Sequence, residues 1–280
     1  MVAPAAQPVD LHGDGEVQAS TAARRAAQGR VRSAVNGALV IDTDGGVDDV
    51  LACLTAEHSH PRTLVTTVGG NVSAAQAAQN IAQFTALPVA VGVDPPDRVP
   101  GYRHGTDGVN GCSDGVRRRV DEDAVGVLRG ALQDPRTTVA ALGPLTNVAA
   151  AAGTLAPGDL RARVLALGGI MDCPPGLQDT NVAADVTAAR FTASRIPQFT
   201  WLGLRDAAER TRTPLTTVAA SGAAELARAV AQRTAAAWGT VWGGQDAAFY
   251  DVAVVCAALG VTDAAAVRGA VSAALDAVSV

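Results

Sequence analysis

Two rhythms alternate along the chain: short, continuous apolar runs, and longer stretches whose apolar residues recur three and four apart. The first read as strands buried on both faces, the second as amphipathic helices. Strands are predicted at Leu39–Thr43, Thr63–Val68, Pro88–Val91, Thr137–Leu142, Val164–Leu167 and Phe199–Leu204. Helices are predicted at Val47–Glu57, from Ser73 as N-cap to Ala86, and at Ala124–Leu132, Thr146–Ala152, Asp185–Ser194, Leu215–Trp238 and Ala247–Ala258. Such alternation predicts an α/β fold, an open and mostly parallel sheet with helices on both faces and a Rossmann-like core. Residues 1–36 follow neither rhythm and read as a flexible N-terminal extension, leaving 37–280 as one domain.

Interruptions of the pattern carry most of the polar clusters. Asp42, Asp44, Asp48 and Asp49 crowd the first strand–helix junction around Gly45-Gly46. Gly69-Gly70-Asn71 follows the second strand, and Gly143-Pro144-Leu145-Thr146-Asn147 follows another. A turn-rich stretch, Asp94–Asp121, holds His104-Gly105-Thr106-Asp107-Gly108; a second irregular stretch, 171–181, ends in Asp179-Thr180-Asn181. Irregular segments this long inside a compact domain are usually functional. In a parallel sheet all these junctions share one edge, where open α/β sheets bind ligands.

Composition narrows the chemistry. Nearly half of the residues are apolar (48%), enough for a large core, while aromatics make up 3% and every basic residue is Arg. Net charge is −5 and no basic stripe is interleaved with aromatics, so nucleic acid is not an expected partner. The four cysteines are scattered without a CxxC pair, which argues against zinc and against a disulfide framework. No apolar stretch reaches the ~20 residues of a membrane span, and the start lacks a signal-peptide pattern. A cytoplasmic protein with no membrane partner is expected.

Four carboxylates so close repel one another unless a proton or cation intervenes. Carboxylate oxygens are hard donors suited to Ca²⁺ or Mg²⁺. Asp44 and Asp49, five apart across the turn, are placed to grip one ion from two sides. Asp42 and Asp48 are open to a plainer reading, as caps of the turn and helix.

The run Val40-Ile41-Asp42-Thr43-Asp44-Gly45-Gly46-Val47-Asp48-Asp49 resembles the signature of the inosine-uridine-type nucleoside hydrolases. Val68-Gly69-Gly70-Asn71 and Asn80, Ala141-Leu142-Gly143-Pro144-Leu145-Thr146-Asn147 and Leu167-Gly168-Gly169 follow at that family's spacing, and Asp179-Thr180-Asn181-Val182 and Tyr250-Asp251 resemble two more of its motifs, so the resemblance runs from Leu39 to Ala258. It implies a nucleoside-hydrolase-like fold and a Ca²⁺-dependent hydrolase of the N-glycosidic bond of ribonucleosides. Asp44, Asp49, Asp251 and the Leu142 carbonyl would hold the metal, with Asp44 as general base. Asp48, Asn71 and Asn181 would bind the ribose hydroxyls, and homo-oligomers are usual in the family.

Departures from the family pattern are equally informative. Gly45 replaces a usual Pro. Asp179 stands where a Glu commonly binds the ribose 5′-hydroxyl, and Cys173 where an Asn is usual. Tyr250 replaces the His credited with assisting the leaving base, which makes Tyr250 and His104 the two candidates for that role. A phenol with pKa ~10 is a weaker acid than imidazole near neutral pH. Ribosyl chemistry on a substrate other than the common purine nucleosides or uridine is therefore expected. Tyr102, Phe249, Trp238, Trp242 and Tyr250 are the aromatics available to a base pocket, although a Trp pair four apart on a helix also suits core packing. His12, His58 and His60 are expected at solvated positions. Only an Ala/Val-rich stretch follows Asp251, shorter than the family's usual end.

Two readings compete with the hydrolase. A binding protein on the same scaffold would hold Ca²⁺ and a riboside without turnover. A haloacid-dehalogenase-type phosphatase would share the strand-terminal Asp-x-Asp-Gly, but it generally needs a later Lys, and this chain has none.

Overall fold

In a computed structural model, residues 37–96, 104–169 and 179–278 are described. The expected 1–36 extension, Tyr102, Cys173 and the Trp238 side chain lie outside them.

Six strands form one parallel sheet: β1 (Leu39–Thr43), β2 (Thr63–Thr67), β3 (Val89–Val91), β4 (Thr138–Ala141), β5 (Arg163–Leu167) and β6 (Phe199–Leu202). Their order is β3-β2-β1-β4-β5-β6. The first three strands are laid down outward from β1 in one direction, the last three in the other, so the order reverses between β1 and β4. A crevice opens outside the carboxyl ends of the strands at such a reversal. Asp42 is aligned there with Thr66 on β2 and Ala141 on β4.

The central strands β1 and β4 are covered on both sides. Leu39 and Ile41 of β1 enter a large core shared with helices α1 (Val47–Ser59), α7 (Leu204–Thr211), α10 (Tyr250–Ala258) and α11 (Ala264–Ala277). Val40 points the other way, into a core built with α3 (Ala124–Gln133), α4 (Thr146–Gly153) and α6 (Val186–Arg195). Side chains alternate across a strand, so a run buried on both faces has to be continuously apolar. Helix α10 is buried on nearly every side, between α1 and α7, which explains its uniformly apolar sequence after Asp251.

Side-chain caps start several helices. Ser73 accepts the Gln76 N–H to open α2 (Ala74–Phe84), as its position predicts. Asp179 opens α5 (Thr180–Ala184), Asp123 opens α3, and Asp185 and Asp263 open α6 and α11.

The structure departs from the predicted elements in four places, one of them the helix expected from Ala247, which begins at Tyr250. The helix expected over Leu215–Trp238 is two helices, α8 (Leu215–Ala220) and α9 (Ala224–Trp242). Gly222 marks the break, where a Cβ would lie 2.6 Å from the carbonyl oxygen of Val278. The last strand of the sheet ends at Leu202, and Leu204 instead begins α7, its apolar side chain packed into the core. The Ala/Val-rich end forms α11, and Thr213–Pro214 (β7) pairs antiparallel with Asp246–Ala247 (β8). His60 is buried rather than solvated, while His58 stays exposed. Among the described residues no helix is long and apolar enough to cross a membrane.

Candidate active site

The acidic turn leaves β1 and enters α1 within seven residues, and its backbone explains its shape. Gly45 adopts φ +71°, and a Cβ there would stand 2.5 Å from the Ala77 Cα of α2. Only glycine fits both the left-handed conformation and the close approach. Gly46 caps α1 and donates its N–H to Asp49 Oδ2 at 2.9 Å, while the Thr43 hydroxyl donates to Asp49 Oδ1. Asp48 and Asp49 thus occupy the first turn of a helix, where the backbone dipole favours negative charge.

The residues expected to serve as metal ligands, general base, leaving-group acid and ribose contacts line one cavity at the carboxyl edge of the sheet, whereas of the aromatics considered for a base pocket Phe249 is fully buried in the core and only Tyr250 reaches the cavity among the described residues. Asp44, Asp48, Asp49 and Asp251 form its acidic floor with Leu142; Asn71, His104, Asp179, Asn181 and Tyr250 surround it. Leu167, Thr180 and Leu204 complete the wall. Leu167 and Thr180 belong to the Leu167-Gly168-Gly169 and Asp179-Thr180-Asn181 motifs, whereas Leu204, an apolar side chain packed in the core, carries no motif signal.

Asp48, Asp49 and Asp251 bring carboxylate oxygens within 4.8 Å of one another, in a group able to hold a metal ion. Asp251 is 4% exposed, and its Oδ1 is buried with no hydrogen-bond partner among the described residues. Burial first, then the charge of Asp48 and the other aspartates, pushes the Asp251 carboxyl well above the usual range. Burial and the Asp49 charge do the same to Asp44. No Arg lines the cavity among the described residues. An oxygen-only, uncompensated and partly orphaned donor set fits a hard divalent cation.

Asp44 stands beside this trio, with both oxygens held by Asn71: its backbone N–H reaches Oδ2 at 2.8 Å, its side-chain amide Oδ1 at 2.9 Å. Asn181 donates to the Leu142 carbonyl at 2.6 Å. Asp179 accepts the N–H groups of Gly169 (2.8 Å) and Val182 (3.0 Å), and burial raises its pKa. His104 is buried at 3% exposure; its Nδ1 accepts the Val47 N–H at 3.1 Å and its Nε2 lies 3.8 Å from Asp48. That hydrogen bond leaves the ring proton on Nε2, facing Asp48. Tyr250 opens α10 at the rim of the cavity and is buried.

Beneath the floor, Asp42 is fully enclosed, accepting from Thr66 Oγ1 (2.7 Å) and Asn147 Nδ2 (2.9 Å). Burial pushes its carboxyl up to about 7. Its backbone carbonyl accepts the Leu142 N–H at 2.7 Å, so Asp42 supports the turn and the neighbouring strand end together. The Asn147 amide also reaches Thr67 O at 2.9 Å and accepts the Val93 N–H at 3.1 Å. Trp242 is partly buried against the core under the Arg212 guanidinium, away from the cavity lining. The buried Cys53 and Cys256 and the half-buried Cys112 are free thiols.

Comparison with known proteins agrees with this geometry. Uridine nucleosidase 1 of Arabidopsis thaliana is 36% identical over 130 residues, covering 40% of this chain and 39% of that protein. Non-specific ribonucleoside hydrolase RihC of Salmonella typhi is 34% identical over 127 residues, 40% of this chain and 41% of that protein. The matched stretch therefore spans about two-fifths of these relatives. A purine-preferring ribonucleoside hydrolase from Gardnerella vaginalis superposes with a TM-score of 0.65 at 22% identity, covering 79% of each chain. An inosine-guanosine nucleoside hydrolase superposes with a TM-score of 0.61 at 17% identity, over 80% of this chain and 78% of that one; both matches show the shared fold. The family model described as inosine-uridine preferring nucleoside hydrolase matches residues 39–277, which leaves the phosphatase reading without support. The chain belongs to the inosine-uridine preferring nucleoside hydrolase family.

Proposed function

We propose that this protein hydrolyses the N-glycosidic bond of a ribonucleoside or related N-riboside to free base and ribose. One observation carries the reading: in a chain of this family, four carboxylates share a cavity floor with no Arg in the lining among the described residues, and one has an orphaned oxygen. That donor set supports Ca²⁺, with Asp44, Asp49, Asp251 and the Leu142 carbonyl as ligands and Asp48 next to them. A cation bound there supplies an acidified water and a docking point for vicinal hydroxyls.

The protein's own groups then divide the work. Asp44, oriented at both oxygens by Asn71, takes the proton of the attacking water. Asp48 accepts from a ribose hydroxyl, and Asn71 and Asn181 supply amide contacts to the sugar. Asp179 borders the 5′ end. Negative charge on the floor stabilises an oxocarbenium-like sugar as the bond breaks. Tyr250 hydrogen-bonds the departing base, and His104 is the second candidate for that proton. Leu167 and Leu204 give the base an apolar wall.

Release of free ribose from a panel of ribonucleosides, 2′-deoxyribonucleosides and 5′-modified ribosides tests the proposal. Metal-dependent release from ribosides, with deoxyribosides inert, is expected. Slow turnover of plain inosine and uridine beside a faster N-riboside supports the altered-substrate expectation. Riboside binding without any release, in single-turnover measurements, overturns the hydrolase reading.

A further inference from the structure

Helix α2 contributes no residue to the cavity, yet one of its side chains touches both segments that carry candidate chemistry. Asn80 is fully buried, and its amide nitrogen donates to the Gly45 carbonyl at 2.9 Å and to the Asp107 carbonyl at 2.8 Å. Its amide oxygen accepts from Gln76 Nε2 at 2.8 Å, which orients the group. Gly45 is the left-handed pivot of the acidic turn, and Asp107 lies three residues beyond His104. The backbones meet closely here: a Cβ on Gly108 would lie 2.8 Å from Asn80 Nδ2 and 3.1 Å from the Gly45 carbonyl.

The loop bearing His104 is tied to itself by several hydrogen bonds. Asp107 gathers the N–H groups of Val109, Gly111 and Ser113 on its carboxylate, making 104–113 a self-tied unit. The Asn110 N–H closes back on the His104 carbonyl at 2.6 Å. A unit tied this way moves as a body, and Asn80 is the side chain joining it to the acidic turn. His104 Nδ1 on the Val47 N–H is a further attachment, inside the cavity, while Gln83 Nε2 on the Cys112 carbonyl and Asn110 Nδ2 on the Glu225 carbonyl, both at 2.7 Å, hold the far end of the unit.

We infer that Asn80 is a positioning residue, clamping the Gly45 and Asp107 carbonyls together so that His104 is held against the Val47 N–H and Asp48. It touches no substrate and acts through His104. Both amide hydrogens and the amide oxygen are engaged, so aspartate, which keeps the shape and lacks the donors, cannot replace it. The role rests on the proposed function only where activity is the readout.

Asn80→Asp and the milder Gln76→Leu, which only frees the amide to turn, are compared with the parent protein. Hydrogen exchange is followed at the Val47 amide and residues 104–113, well below each melting temperature. Clamp loss is expected to speed exchange at these sites about tenfold or more, leaving β4 and β5 unchanged. In ribose release, Asn80→Asp should lower kcat about tenfold with little change in KM, and the loss should vanish in a His104→Ala background. Folded variants with unchanged exchange at Val47 and 104–113 overturn the clamp, as do independent, multiplying losses in the double mutant. A fully active His104→Ala together with faster exchange in Asn80→Asp removes His104 from the chemistry while supporting the clamp. Should Asn80→Asp fail to fold, Gln76→Leu gives the same comparison with a smaller amplitude.

Discussion

Asn71 grips the Asp44 carboxylate at both oxygens, one through its backbone N–H and one through its side-chain amide. The pair fixes the orientation of the proposed base relative to Asp49, whose own oxygens are held by Thr43 and Gly46. Adjacent carboxylates held in different directions by different donors can do different work in one cavity.

Replacing Asn71 by Ala deletes one charge-assisted hydrogen bond and leaves the backbone one. Such a bond contributes about 1.5–3 kcal/mol, so ribose release should fall about 10- to 100-fold, mainly in kcat. Asn71→Asp should fall further, because it adds a carboxylate to Asp44. Steady-state kinetics on the best riboside, with melting temperature as the control for folding, measure both.

Metal removal and pH should act together. Asp42, Asp44 and Asp251 all have raised folded pKa values through burial, Asp42 from 3.8 to about 7. A group of this kind binds its proton more tightly when folded. Its contribution is fully present below the unfolded value and is lost as pH rises through the folded one. With chelator present, stability should therefore decline from about pH 4 to beyond pH 7, with a slope approaching about 1.4 kcal/mol per pH unit for each group titrating. Ca²⁺ should reverse the loss, raising the melting temperature more at about pH 8 than at about pH 5. Asp42→Asn should flatten the chelator curve.

Gly45→Pro restores the residue usual in the family at this position, and it should damage this chain. Proline fixes φ near −65°, whereas Gly45 sits at +71° against the backbone of α2. A loss of about 3 kcal/mol or more is expected in denaturant unfolding, together with a weaker melting response to Ca²⁺. Wild-type stability in Gly45→Pro would show that the turn has another accessible conformation.

Tyr250 is the departure that the proposed function places beside the leaving base. Tyr250→Phe keeps the ring and removes the hydroxyl, so kcat should fall about tenfold if that hydroxyl supports the base. Tyr250→His should bring a group of pKa ~6.5 to the cavity rim and add a limb near that value to the pH–rate profile. Comparing the two profiles on inosine and on the best riboside tells whether the substitution changes the substrate or only the acid.

Local pattern determined a great deal on its own. Strand runs buried on both faces, caps such as Ser73 and the acidic turn are legible because strand period, capping and motif spacing involve neighbours in sequence. The same locality explains the misses. Leu204 reads as the end of a strand because an apolar residue looks alike in either element, and one glycine at Ser221-Gly222 does not by itself end a helical pattern. Tertiary structure alone decided that β1 and β4 lie side by side, that α10 brings Asp251 under Asp48 and Asp49, and that Asn80 and Asn147 tie separate segments beneath the floor. Those relationships join residues tens to hundreds of positions apart. They follow from how the sheet order reverses and how two cores close over it, which no local period encodes.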